Sequence, residues 1–482
     1  MRDKNRKPII QGGMGAGISH WKLAREVAIE GQIGTVSGTA IEVIVARTLQ
    51  MGDPGGYFRK AFEHFPIPEI AELALKQFFI EDGKAPNKRF ANIPMYTLSP
   101  EKRPRKNELS VAELAILSNF AQVWLAKKEH EGIISVNFLT KIEPPHLFAI
   151  FGAILAGVDI ITAGAGLPIQ FPQIIDGIME GARVYYKLSI ASSSKNPAVI
   201  SFDPKRFLLG TTRALEKPDF LPIITLPLAG EIILKKTGGK ADGFVVEGPK
   251  AGGHNASPRG PLKLNELDEP IYGAKDEVDF EKIRKLNKPF WIAGDMATPE
   301  KLKEAKELGA EGIQAGSIFA GCASSGFAPE IRKQIFEMVS RENFEVRTSA
   351  VASPTGYPIQ IAQMPGTLSD PSLYDKRTRV CDLGYLREAY EDPEGKIKFR
   401  CPSEPVSNYL KKGGEPEDTE KRMCLCNALL ATAGLPQIRT LDGEKRPELP
   451  VITFGKIIPS FLIEKNVPYS AREVVDYLLG QK

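Results

Sequence analysis

Short apolar runs with the β-branched character of strand interiors recur along this chain, each ending in glycines or small polar residues and each followed by apolar positions at helical spacing. Pro8-Ile9-Ile10-Gln11 leads into Gly12-Gly13-Met14-Gly15, and Gly34-Thr35-Val36-Ser37-Gly38 repeats the form. Strand patterns return at residues 132–137, 158–166, 183–190, 244–246, 290–295 and 310–317, with helical spacing at 144–156, 171–181 and 298–308. Two helix starts carry capping signals: Ser19 before His20-Trp21, and Thr298-Pro299-Glu300. About eight strands alternating with helices over about 320 residues predict a (β/α)8 TIM barrel rather than an open doubly wound sheet.

Two stretches break the rhythm. Residues 51–131 show helical spacing at 68–79 and 110–127 around a proline-rich, charged segment at 84–106, which predicts a helical insertion. From about residue 343 the alternation stops, leaving an appended C-terminal region of loops and helices. The expected organisation is a barrel from 1–50 and 132–342, the insertion at 51–131, and the C-terminal region at 343–482. Residues 191–220 resist placement: 197–202 fits an extra hairpin strand, and 183–190 and 222–226 compete as the fifth barrel strand. Apolar side chains of the insertion are expected to line the substrate pocket.

Composition narrows the class. The 482 residues are 42% hydrophobic and 25% charged, an ordinary globular balance able to bury a full core. The net charge of +4, from 63 basic and 59 acidic residues spread along the chain, gives no case for nucleic acid or an anionic membrane. The most apolar stretch, 147–166, is interrupted by Asp159 and glycines and divides into a helix and a strand. The charged start Met1-Arg2-Asp3-Lys4 lacks the features of an export signal, so a cytoplasmic location is expected.

The chemistry concentrates in Val246-Glu247-Gly248-Pro249-Lys250-Ala251-Gly252-Gly253-His254. Glycines after a strand let backbone approach a ligand closely, and an imidazole just beyond exchanges protons near neutral pH. His254 is therefore the candidate acid or base, while His20, His64, His130 and His146 lie in helical or insertion contexts and read as structural. In a barrel the strand ends Gly12, Asn137, Gly252, Gly253, Gly294, Gly316 and Ser317 converge on one face, where the last two strands commonly hold a phosphate. Tight turns of parallel α/β folds demand glycines too, so spacing alone leaves both readings open.

Ile9-Ile10-Gln11-Gly12-Gly13-Met14, Val136-Asn137, the 246–254 stretch, Ala293-Gly294-Asp295 and Gln314-Ala315-Gly316-Ser317 together resemble the ordered signature of the nitronate monooxygenase (2-nitropropane dioxygenase) family. That family also holds FMN-dependent enoyl-acyl-carrier-protein reductases. The resemblance implies an FMN-binding TIM barrel. It assigns flavin contacts to Gln11, Gly12, Asn137, Glu247, Gly252 and Gly253, phosphate contacts to Gly294, Gln314, Ala315, Gly316 and Ser317, and catalysis to His254. Glu247 stands where many members carry glutamine; a carboxylate there disfavours an anionic reduced flavin, and Lys187 is a candidate to neutralise it.

Cys381, Cys401, Cys424 and Cys426 crowd into the C-terminal region, whereas only Cys322 precedes them. Four such thiols suggest zinc or an iron–sulfur cluster, with small buried apolar residues as the plain alternative. The leading expectation is an FMN-dependent oxidation of alkyl nitronates with O2. An NAD(P)H-dependent enoyl thioester reductase and a non-catalytic flavin- or metal-binding accessory subunit are the alternatives. The expected partners are a small-molecule or acyl-thioester substrate, with no nucleic acid and no membrane; a homodimer is among the assemblies left open.

Overall fold

The computed structural model describes residues 1–191, 197–208, 214–441 and 443–481. Eight parallel strands close into a barrel: β1 (Ile9–Gln11), β2 (Ile33–Ser37), β3 (Ile133–Leu139), β4 (Ile160–Gly164), β7 (Asp219–Ile224), β8 (Phe244–Glu247), β9 (Phe290–Ala293) and β10 (Gly312–Ala315). Their order round the barrel is β1-β10-β9-β8-β7-β4-β3-β2. Ile10, Ile33, Ile133, Ile160, Leu221, Val245 and Trp291 point inward and fill it with one buried cluster, as period-2 alternation in tilted strands requires. The Trp291 Nε1 donates to the Lys7 carbonyl at 2.8 Å. The fold is thus a TIM barrel with a packed interior and one ligand-bearing face.

Register brings the strand ends level. Gln11 pairs with Ala315, Glu247 with Ala293, and Ser37 with Asn137, so the glycines that follow these residues emerge together. The fifth barrel strand is β7. The competing 183–190 segment instead forms β5 (Val184–Lys187), which pairs antiparallel with β6 (Val199–Phe202) as a hairpin outside the barrel. Its alternating buried and exposed residues mark a half-solvated hairpin, whereas β7 is buried along its whole length, as a parallel barrel strand must be. The remainder of the hard-to-place 191–220 stretch includes residues 192–196 and 209–213, which lie outside the described residues.

The helix Val111–Lys127 begins with a full capping box between Ser110 and Glu113 and is buried on nearly every side. It packs against helices Trp21–Ile29, Ile41–Gln50 and His146–Leu155 on the barrel's outer layer. Residues 147–166 divide between helix His146–Leu155 and strand β4, and among the described residues no helix is long and apolar enough to cross a membrane. Beyond residue 343 the chain holds more strand than loops and helices alone would supply. It forms three two-stranded antiparallel sheets: β11 (Val346–Ser349) with β12 (Ile359–Ala362), β13 (Glu388–Glu391) with β14 (Ile397–Arg400), and β15 (Ile438–Leu441) with β16 (Glu444–Pro447). Val346, Ala362, Ile452, Phe454 and Phe461 share a core cluster with barrel residues Ile9, Val246, Ile292 and Ile313. The C-terminal region therefore lies directly on the barrel.

Candidate functional site

The strand ends surround one cavity of about 530 Å³. Gly12, Asn137, Glu247, Gly252, Gly253, His254, Gly294, Gln314, Ala315, Gly316 and Ser317 all border it. Close backbone approach explains two of the glycines. A Cβ at Gly252 would stand 2.9 Å from the Gly455 nitrogen, and Gly294, at φ +96°, would push a Cβ to 3.0 Å from the Ala251 nitrogen. Ala315-Gly316-Ser317 opens the one-turn helix Ser317–Ala320, whose first N–H groups have no intrahelical acceptor. The Ser317 Oγ accepts from the Gly455 nitrogen at 2.9 Å, tying the turn to the C-terminal region.

Gln11 is the exception among the expected contacts. It is fully buried and does not border the cavity. Its Nε2 donates to Ser19 Oγ at 2.7 Å and its Oε1 accepts from the Thr35 nitrogen at 2.9 Å. A long amide just before a glycine turn serves here to brace that turn from behind. Ser19 is used up in the same network, accepting from the Met14 nitrogen at 3.0 Å, so the following helix is capped by His20 instead, whose Nδ1 accepts from the Lys22 nitrogen at 3.1 Å.

His254 faces the cavity with its Nε2 2.7 Å from Ser353 Oγ, and Ser353 in turn shares a 2.7 Å hydrogen bond with Thr355 Oγ1. Burial lowers its pKa to about 4, so the imidazole is neutral at pH 7 and can accept a proton. Glu247 is perturbed the other way. Although the cavity leaves part of its side chain in open space, it stands deep and without a charged neighbour, and burial raises its pKa to about 8. Lys187 does not neutralise it: that residue is exposed in the outer hairpin, where its main-chain nitrogen donates to Gln170 Oε1. At neutral pH Glu247 carries its proton and resembles a glutamine in shape and hydrogen bonding. Asn137 is held by Thr162, whose Oγ1 donates to its Oδ1 at 3.1 Å.

The remaining histidines have local partners. His64 stacks on Trp124 with ring centres 4.4 Å apart, His130 meets the Ala126 carbonyl at 2.6 Å, and the buried His146 meets the Leu139 carbonyl at 3.3 Å.

The four C-terminal cysteines do come together, round one small void of about 10 Å³, and Cys426 also borders the large cavity. All are free thiols. Among the described residues, however, no group of three or more His, Cys, Asp or Glu side chains is arranged to hold a metal ion. The expected zinc or iron–sulfur site is therefore not formed by this arrangement. Burial raises the pKa of every one of the four, that of Cys424 to about 12, so that without a metal they are neutral thiols packed like small apolar groups.

Nor does the insertion line the cavity; no residue of 51–131 borders it. The wall that sequence patterns missed comes from the C-terminal region: Tyr357, Ile359, Tyr385, Leu386, Leu425, Cys426 and Leu429, then Thr453 to Gly455 and Ile457 to Ser460. Ile452-Thr453-Phe454-Gly455 repeats the apolar-run-then-glycine form of the barrel strand ends, and Ser353-Pro354-Thr355-Gly356 is a hydroxyl-rich turn. Both were readable signals.

The nitronate monooxygenase family model matches residues 173–359. Among solved structures the chain is similar to FabK from Thermotoga maritima, at 13% identity over 99% of this chain and 93% of that one, with a TM-score of 0.48. It is also similar to a nitroalkane oxidase from Streptomyces ansochromogenes, at 13% identity over 98% and 95%, with a TM-score of 0.45. These structural likenesses are too distant to bear on the chemistry. No curated protein matches the chain. The matched segment, residues 173–359, carries β7 through β10, Glu247, His254 and the two glycine turns, so the likeness to the nitronate monooxygenase family rests on the part of the chain that builds this side of the cavity.

Proposed function

We propose that this protein is an FMN-dependent oxidoreductase that oxidises alkyl nitronates with O2 in the manner of a nitronate monooxygenase. The observation that carries the reading is the convergence of the glycine turns, Glu247 and His254 on a single cavity. The residues present fit FMN. At one end the backbone is bared where Gly252 packs on Gly455, and the Gly316-Ser317 turn offers helix-start N–H groups for a phosphate. Asp295 is a carboxylate at that end, and Lys250 stands 3.9 Å from it to offset its charge. Glu247, neutral, can donate a hydrogen bond to a ring carbonyl as an amide would.

When bound, FMN supplies a two-electron carrier for both the organic substrate and oxygen. The chain's own part is positional and protonic. His254 Nδ1, the ring nitrogen that Ser353 does not engage, takes a proton from a carbon acid such as the α-CH of a nitroalkane and so yields the nitronate, with Ser353 and Thr355 holding the ring through Nε2. Thr453 to Gly455 and Ile457 to Ser460 line the cavity from the C-terminal region and would help to keep water from the reacting group.

The apolar wall of the same cavity favours a second reading, an NAD(P)H-dependent enoyl thioester reductase whose acyl chain that wall would receive. One experiment separates them: anaerobic stopped-flow absorbance of the purified protein mixed with ethyl nitronate and, separately, with NADPH or NADH. Bleaching by nitronate supports the first reading, and bleaching by nicotinamide alone moves the assignment to the second. Flavin bleached by neither leaves the accessory-subunit reading, and no flavin defeats both enzymatic ones.

A further inference from the structure

The cavity has two unlike sides. Its acidic, basic and imidazole side chains, Glu247, Lys250, His254 and Asp295, all stand at the end of β8 or in the loops after β8 and β9. Strand β3 lies across the barrel from β9 in the closed order, and on its side the lining changes character. Phe138 and Leu139 at the end of β3 and Ile142 just after it line the cavity together with Leu386, Leu425 and Leu429 from the C-terminal region. Leu386, Leu429 and Leu139 pack against the core cluster that contains Phe138 and Ile142, which places them on the same side of the barrel. The polar groups there, including Ser37, Thr39, Asn137 and Tyr385, are uncharged, and no lysine or arginine borders that side.

We propose that this second compartment selects a substrate whose reacting group carries an unbranched apolar chain with no carboxylate at its far end, and that Leu386 and Leu429 set this preference. The inference rests on the oxidoreductase reading for the reacting group, but the chain preference rests on the wall alone. An apolar chain gains by leaving water, about fourfold in affinity for each buried methylene. A terminal carboxylate would be buried against leucines without a cation, which proteins avoid. Since the wall is built by the C-terminal region, that region acts as the specificity element of the barrel. Nitronates and enoyl thioesters could both present such a chain, and the probes below tell them apart.

The test uses the purified full-length protein and two readouts. Binding of nitroethane, 1-nitrobutane, 1-nitrohexane and 6-nitrohexanoate is followed by thermal shift, which needs no turnover; anaerobic flavin bleaching is then followed with the corresponding nitronates and with NADPH, and return of the flavin absorbance is followed when a hexenoyl thioester is added to the NADPH-bleached protein. The expected result is affinity rising about fourfold per methylene from nitroethane to 1-nitrohexane, with 6-nitrohexanoate at least 100-fold weaker than 1-nitrohexane. Leu386→Ala should flatten the chain-length slope, and Leu429→Arg should restore binding of 6-nitrohexanoate. Melting temperatures of both variants verify folding, and Leu386→Ala alone decides the matter if Leu429→Arg does not fold. A flat chain-length series, equal binding of the carboxylated probe, or a slope unchanged in Leu386→Ala overturns the proposal. Chain-dependent binding without bleaching by any nitronate or by NADPH would sink the oxidoreductase reading and leave the compartment standing.

Discussion

The two sides of the cavity are made in different ways. The side fed by β8, β9 and β10 consists of backbone turns and a few polar side chains, all at those strand ends or in the loops that directly follow them. The opposite side is a sheet of leucine and phenylalanine surface assembled from loops after β3 and β4 and from helix Leu425–Thr432, separated by more than half the chain. The first is suited to a fixed, charged ligand, because backbone N–H groups stay in place whatever side chains surround them. The second is suited to variation, since one leucine can replace another at small cost. Cofactor and substrate are thus served by different physics within one cavity.

Substitutions should separate the two sides. The largest effect is expected from Gly316→Leu. A Cβ there meets only Met14 at 3.6 Å, so the backbone is not strained, but the branched side chain projects into the space where a phosphate would lie. Flavin should be absent from the purified variant while its melting temperature stays near that of the parent; full flavin content, read as the ratio of absorbance at about 450 nm to that at 280 nm, would refute the placement of this turn.

Next in size is His254→Asn, which should retain flavin and lose about 10²–10⁴-fold in turnover, the range general acid–base help supplies. In the parent, activity should hold as pH is lowered and fall only through about 4, where the imidazole takes a proton. The sign for stability agrees. A histidine with a lowered folded pKa favours the unfolded state on acidification, beginning below the unfolded value near 6.5 and complete below about 4. A turnover midpoint near 6.5 would mean that the ring is not buried as described.

Ser353→Ala removes one orienting hydrogen bond from His254 and should cost about fivefold in turnover, from a net worth of about 1 kcal/mol, with flavin content unchanged. Glu247→Gln should be almost silent at pH 7, where the neutral carboxyl and the amide offer the same hydrogen bonds. The difference should open with pH. The parent carboxyl ionises through about 8, so its buried charge weakens both fold and flavin retention above that value, and the variant should show neither loss. Matching flavin dissociation in the two proteins at pH 9 would show that Glu247 is ionised already or does not face the ring.

How much of this was legible follows the same division. The strand ends were readable because a buried parallel strand and the turn after it are local: Val245-Val246 and Gly252-Gly253 announce themselves within one window, and closure of the barrel then brings such turns to one face. Gln11 was misread for a local reason as well. The position adjoins the glycine turn, but strand alternation turns its side chain away from the cavity and into the Ser19–Thr35 network. Segment 183–190 competes for a place in the barrel because its residues have strand propensity; only pairing shows that its partner is the extra hairpin strand expected at 197–202 and not the barrel. The cysteines were correctly grouped, since all four border one void, yet their grouping did not fix their chemistry, which depends on the low dielectric around them.

The sequence by itself determined the alternation that closes a barrel, the face on which its glycine turns and His254 emerge, and the likeness of residues 173–359 to the nitronate monooxygenase family. These follow from periodicity and from backbone conformations that few residues tolerate, both of which are written locally. Only the tertiary structure decided which residues enclose the opposite side, that Ser353 holds His254, that Glu247 keeps its proton, and that Lys187 is remote from it. Burial and long-range contact set those properties, and neither exists until segments hundreds of residues apart have packed.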